Sequence, residues 1–121
     1  MLSLKEIKYY GDLSLERVVF QVLQDCDLGY YMIAVTRVLQ DGEISATLRN
    51  VKWLPDKKLS SGDMVVIYSG VGINSEDVDD NGVKTHKVYW GRSEALNEAN
   101  KECVVCFQLK NWKTAEKVIG K

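Results

Sequence analysis

Proline is nearly missing from this chain. Pro55 is the single one among 121 residues, so nothing here reads as a proline-rich linker or recognition segment. Cysteine is sparse and odd in number: Cys26, Cys103 and Cys106 exclude a closed disulfide framework and suit a reducing compartment. Histidine occurs once, at His86, so a zinc site built on Cys103 and Cys106 would have only Cys26 and His86 to complete it. Charge of one sign is also lacking. Sixteen basic residues against 17 acidic ones give a net charge of −1, so no global attraction to polyanions is expected. The longest apolar runs are far too short to span a bilayer. The first residues, MLSLKEIKYYGDLS, lack the basic and then apolar regions of a secretory signal. The expectation is a soluble, cytoplasmic chain, or a secreted one had a leader been removed.

What the chain does have is a hydrophobic content of 45% in a length that suits one core. Glycine and Asx residues punctuate it at short intervals: Gly11-Asp12, Asp27 to Gly29, Asp41-Gly42, Gly62-Asp63, Gly70 to Gly72, Asn81-Gly82 and Gly91. Between them lie short segments rich in β-branched and aromatic residues, an all-β rhythm. Arg17 to Gln24 alternates, with Val18, Phe20 and Val22 on one face. A helix capped at Ser14 is its rival, and the β-branched content favours the strand. Tyr30 to Leu39 is a second strand, and Asp41-Gly42 signals a hairpin turn. Glu43 to Leu54 alternates first on Ile44, Ala46 and Leu48, then on Val51 and Trp53. That change of parity predicts a bulge near Asn50. Asp63 to Ser69 reads as a central strand, because its MVVIY run is apolar on both faces and expected to be buried on both. Thr85 to Trp90 and Glu102 to Leu109 are strands, and Ser93 to Asn100 has short helical character. The organisation expected is an N-terminal extension over 1–16, a β domain over 17–110 and a tail over 111–121 that frays or forms one helical turn. About seven strands and one short helical segment imply two packed sheets or a small barrel.

Each candidate site is incomplete. Gly70-x-Gly72 lacks the third glycine of a dinucleotide loop, where Ser75 stands, and precedes an acidic stretch rather than a helix. Asp77, Asp79, Asn81 and Gly82 match the first half of a calcium loop, but the bidentate glutamate position falls on Val88. Cys103 and Cys106 have redox spacing, yet three residues apart on a strand they point to opposite faces. His86 shares a strand face with Val88 and Trp90 and has no nucleophile or acid beside it in sequence, which suits a hydrogen-bonded structural residue. Lys57, Lys58, Arg92, Lys110 and Lys113 are the candidate partner-binding residues, set among aromatics such as Trp53 and Trp112. No cofactor is expected.

From Leu59 onward the chain resembles the lamin tail domain. The pattern L-x-x-G-x-x-V-x-[IL]-[WY] falls on Leu59, Gly62, Val65, Ile67 and Tyr68, and a glycine-rich exit follows at Gly70 and Gly72. Trp90-Gly91, then Leu96, Asn97 and Asn100, then Glu102, Val104 and Cys106 complete it. The resemblance is specific over 59–109 and looser back to residue 17; residues 1–16 have no counterpart. It implies an immunoglobulin-like β-sandwich that serves as an interaction module without catalytic residues. The function expected is therefore non-enzymatic binding of a protein partner through loops or a sheet edge. The alternatives are a nucleic-acid or polyanion binder using the five basic residues, and a small hydrolase whose site is assembled only in space.

Overall fold

A computed structural model describes residues 1–115. Ten strands run through it: β1 (Leu2–Lys8), β2 (Arg17–Val22), β3 (Cys26–Asp27), β4 (Tyr31–Arg37), β5 (Arg49–Trp53), β6 (Lys58–Leu59), β7 (Met64–Tyr68), β8 (Ser75–Val78), β9 (Lys84–Tyr89) and β10 (Glu102–Gln108). They form a five-stranded sheet in the order β1-β2-β7-β9-β8, a three-stranded sheet β10-β4-β5 and a small pair β3-β6. The all-β class read from the sequence is the class observed. The strands outnumber the expectation because residues 1–16 contribute β1, the acidic stretch contributes β8, and β3 and β6 add a further short pair.

One core lies between the two larger sheets. Val18, Phe20 and Val22 of β2 and Val65 and Ile67 of β7 face Tyr31, Ile33 and Val35 of β4, with Leu28, Leu54, Leu59, Val88, Trp90 and Leu96 closing it. Each fully buried aliphatic side chain contributes about 1.5–3 kcal/mol relative to an exposed one. The period-two alternation of β2 is realised, and it extends back to Glu16 on the same parity. β7 differs from expectation. Val65 and Ile67 are buried in the core, whereas Met64, Val66 and Tyr68 lie half-buried on the other face. A five-stranded sheet with one solvated face needs no second apolar layer there, and Tyr68 stacks instead on Tyr89 of the parallel neighbour β9 at 4.9 Å.

The bulge expected near Asn50 is present. Asn50 has φ +52°, the β4–β5 register shifts between Ile33 and Val35, and the Trp90 indole N–H donates to the Asn50 carbonyl at 2.7 Å. The kink thus turns a backbone acceptor towards the facing sheet, where an indole satisfies it. The first half of the predicted strand over 43–54 is not a strand. Only residues 43–45 pair back, on Arg37 to Leu39, and beyond them Thr36 Oγ1 holds the Ser45 and Thr47 carbonyls at 2.7 and 3.1 Å. The helical character expected over Ser93–Asn100 is absent: bends and a turn occupy it, and the single helical element among the described residues is a 3₁₀ turn at Leu28–Tyr30 capped by the Asp27 carboxylate. The sequence predicts a tail that frays or forms one helical turn. Residues 109–115 carry no regular element, and Trp112 packs edge-on against Tyr30 and Trp53; 116–121 lie outside the described residues.

Candidate functional site

The G-x-G that suggested a phosphate loop is held against aromatic and backbone atoms. A Cβ on Gly72 would come within 2.4 Å of the Tyr89 ring, and one on Gly70 within 3.3 Å of the Leu13 carbonyl. Neither glycine needs a positive φ; both are there because the chain passes too close for a side chain. Gly70 also accepts from the Gly91 N–H at 2.9 Å, which continues the parallel β7–β9 ladder past its end.

The acidic stretch is the β8–β9 hairpin. Glu76 pairs with Lys57 and Lys84, and Asp77 pairs with Lys87. Asp79 closes the turn by accepting the Asn81 and Val83 N–H groups at 2.8 and 3.0 Å. The carboxylates of Glu76, Asp77 and Asp79 are therefore spent on lysines and amides. Cys103 and Cys106 do face opposite ways. Cys106 lies opposite Ile33 on the core side and Cys103 opposite Thr36 on the outer side, and all three cysteines are free thiols. Burial pushes the Cys106 thiol up to about 11 and also raises that of Cys103, the reverse of what a reactive cysteine needs.

His86 is buried and sits on the core face of β9, with Nε2 at 2.9 Å from Asp63 Oδ2. Burial works to raise the Asp63 carboxyl, but hydrogen bonds from His86 and the Ser60 N–H outweigh it and hold it below the ordinary value. The other ring nitrogen, Nδ1, is buried without a hydrogen-bond partner among the described residues and lies 4.0 Å from Glu76. The adjoining cavity measures about 210 Å³, under the range of roughly 300–1,000 Å³ that holds small molecules. The arrangement can store or orient a proton, but no nucleophile is hydrogen-bonded to His86 among the described residues.

The basic residues singled out from sequence do not form one patch. Arg92 lies inside the protein, with its side chain 5% exposed and its guanidinium over the Trp90 ring. Its counter-charge is Glu16, itself fully buried, at 3.8 Å. Glu16 in turn accepts from the Gly11 N–H at 2.7 Å, the Ser69 hydroxyl at 2.5 Å and the Leu96 N–H at 3.0 Å. This knot ties the loop after β1 to the exits of β7 and β9. Arg92 is thus a fastening rather than a surface contact. Lys57 is engaged by Glu76. Lys58, Lys110 and Lys113 are exposed and make no ion pair among the described residues.

The sheet edges are where the backbone itself is left over. The two larger sheets have four edge strands. β1 carries Lys5, Glu6 and Lys8 and a register break between Leu4 and Glu6. β5 is bulged at Asn50 and carries Arg49 and Lys52. β8 is four residues long and bears Glu76 and Asp77. Each is blunted by charge, brevity or a bulge. β10 has none of these devices from Cys103 to Phe107, and it pairs with β4 over seven residues without a break. The Leu109 N–H donates to Tyr30 and the Val38 N–H to the Lys101 carbonyl, so the odd-numbered residues of this strand turn their backbone groups to β4. Glu102, Val104, Cys106 and Gln108 turn theirs outward. Glu102 is satisfied there, by the Asn97 carbonyl and the Tyr10 hydroxyl. Val104, Cys106 and Gln108 face a side on which, among the described residues, no strand of the sheet lies. No protein-family model and no curated protein matches this chain. The sequence had marked Glu102 to Leu109 as a strand, but which of its edges stays open depends on strand order, which the residues do not encode locally.

Proposed function

We propose that this chain is a non-catalytic interaction module that binds a protein partner by accepting an extended segment along β10. One observation carries the reading: three consecutive outward-facing residues, Val104, Cys106 and Gln108, have backbone donors and acceptors unpaired among the described residues, on a strand of unbroken register without charge between Cys103 and Phe107. Strand addition draws its affinity from such groups and its selectivity from the alternating side chains beside them. On the outer face those are Cys103, Val105 and Phe107, all half-buried. On the inner side Leu2, Ile7, Val104 and Cys106 line the rim of the core. A segment that fits carries apolar residues on both faces. The resemblance to the lamin tail domain, an immunoglobulin-like sandwich used for interaction, supports the same reading.

The test is an amide-resolved NMR titration of the purified chain with extended peptides of alternating apolar residues. Binding is expected to perturb and protect the Val104, Cys106 and Gln108 amides, and to disappear in Val105→Lys. Binding that maps to another surface, no binding by any such peptide, or reproducible substrate turnover by the purified chain would overturn the reading.

A further inference from the structure

Resting on that strand-acceptor reading, we propose that the segment taken at this edge is β10 of a second copy of the chain, paired antiparallel about Cys106. An incoming strand must match the outward alternation of Val104, Cys106 and Gln108, because Glu102 is already occupied by Asn97 and Tyr10. β10 matches itself in one register. Val104 comes opposite Gln108 of the second copy, Cys106 opposite its own counterpart, and Gln108 opposite Val104. All the outward groups are then used, at about two hydrogen bonds per facing pair. Sliding by two residues either way leaves one pair unmade.

The side chains agree with this register. Val105 falls opposite Phe107 on the outer face, and symmetry repeats the contact, giving two aliphatic–aromatic cross-strand pairs. Glu102 and Lys110 bound the paired stretch: the Glu102 carboxylate is buried and engaged by Arg49 and the Asn97 N–H, and Lys110 is exposed without an acid partner among the described residues. Between those two charges the chain reads CVVCFQL, so no like charges meet in the middle. Such a contact is isologous and closes on itself, joining two three-stranded sheets into one of six and leaving no further β10 edge exposed.

Sedimentation velocity from about 1 µM to about 1 mM distinguishes the outcomes. The wild-type chain is expected to dimerise reversibly in the micromolar range, and the Val104, Cys106 and Gln108 amides are expected to pass from fast to slow exchange as the dimer fills. Val105→Lys puts an ammonium against Phe107 of the second copy. Gln108→Pro removes an outward N–H while leaving the β4 ladder intact. Each is expected to weaken the dimer at least ~100-fold with little change in thermal midpoint. A dimer that persists in both variants overturns the proposal. So does a chain that stays monomeric throughout: if it still binds apolar extended peptides at β10, only self-pairing falls, and if it binds none, the strand-acceptor reading falls with it.

Discussion

Glu16 and Arg92 form a buried ion pair whose two halves are held very differently, and that difference sets an order on their substitutions. Glu16 is fully buried and accepts hydrogen bonds from Gly11, Ser69 and Leu96, whereas Arg92 Nε and Nη1 are buried with no hydrogen-bond partner among the described residues. The charges sit 3.8 Å apart. At an effective dielectric of about 20 their gross attraction is about 4 kcal/mol, against several kcal/mol spent desolvating each ion. Replacing Arg92 by methionine removes the attraction and also the cost of burying a guanidinium. The carboxylate left behind keeps its three N–H and O–H donors, so the net loss is about 1–2 kcal/mol. Replacing Glu16 by glutamine removes the only acid paired with Arg92 among the described residues and weakens three charge-assisted hydrogen bonds together. That loss is about 3–4 kcal/mol, in the range for stripping one partner from a buried pair.

Urea unfolding of both variants at neutral pH checks the order, with thermal melts alongside. For a domain of this size Glu16→Gln corresponds to a midpoint lower by roughly 10–15 °C and Arg92→Met to roughly 5 °C. The double variant is expected to cost less than the sum, since the uncompensated guanidinium is gone. An Arg92→Met loss equal to or larger than that of Glu16→Gln would show that the guanidinium, not the carboxylate, holds the knot, and would refute the reasoning.

Three further outcomes follow from other parts of the structure. Asp63 has its carboxyl held below the ordinary value, so the unfolded chain binds a proton there more readily; stability from the His86 contact is present above the unfolded carboxylate pKa of about 4 and is lost as pH falls through the lower folded value. Asp63→Asn is expected to flatten that acid limb in chemical denaturation measured between about pH 2 and 6, and an unchanged limb rejects the pairing. Cys106, with its thiol near 11, is expected to react with a disulfide reagent at pH 8 more slowly than Cys103, in a rate comparison of Cys103→Ser and Cys106→Ser chains; equal rates contradict the core-side placement. Gly72→Ala forces a methyl into the Tyr89 ring at 2.4 Å and is expected to cost about 1–3 kcal/mol, partly relieved in a Gly72→Ala/Tyr89→Ala double variant.

The class of fold was legible because it is written in local patterns: alternation over Val18, Phe20 and Val22, the Asp41-Gly42 turn with Gly42 at φ +86°, and the parity change that places Asn50 at a bulge. What failed locally was decided at a distance. Ile44, Ala46 and Leu48 alternate like a strand, but only residues 43–45 pair back, on Arg37 to Leu39; beyond them the Thr36 hydroxyl holds the Ser45 and Thr47 carbonyls and no ladder forms until Arg49. Leu96 sits in a run that suits a helix, but its N–H donates to Glu16, 80 residues earlier in the chain, while the Asn97 N–H is taken locally by the Glu102 carboxylate. Arg92 followed Trp90-Gly91 with every appearance of a surface cation. Its acid lies 76 residues earlier (92 − 16), and the only hint was that Glu16 continues the inward parity of Val18 and Phe20. Long-range charge pairs of this kind leave no periodic trace.

The same logic explains why β10 stands out only once strand order is known. Its composition, Cys103 to Phe107, would be unremarked in a central strand, where neighbours on both sides consume the backbone groups. At an edge it is an exposed template, and the other edges of this molecule show what the sequence does to avoid one: lysines and a register break on β1, a positive-φ asparagine on β5, brevity and paired acids on β8. A single lysine in place of Val105 would blunt β10 at little cost to folding, since that side chain lies outside the core cluster and its backbone groups already face β4. An edge left open while three are closed is what a strand-accepting surface requires, because protection against unspecific pairing and availability for specific pairing cannot coexist on one strand.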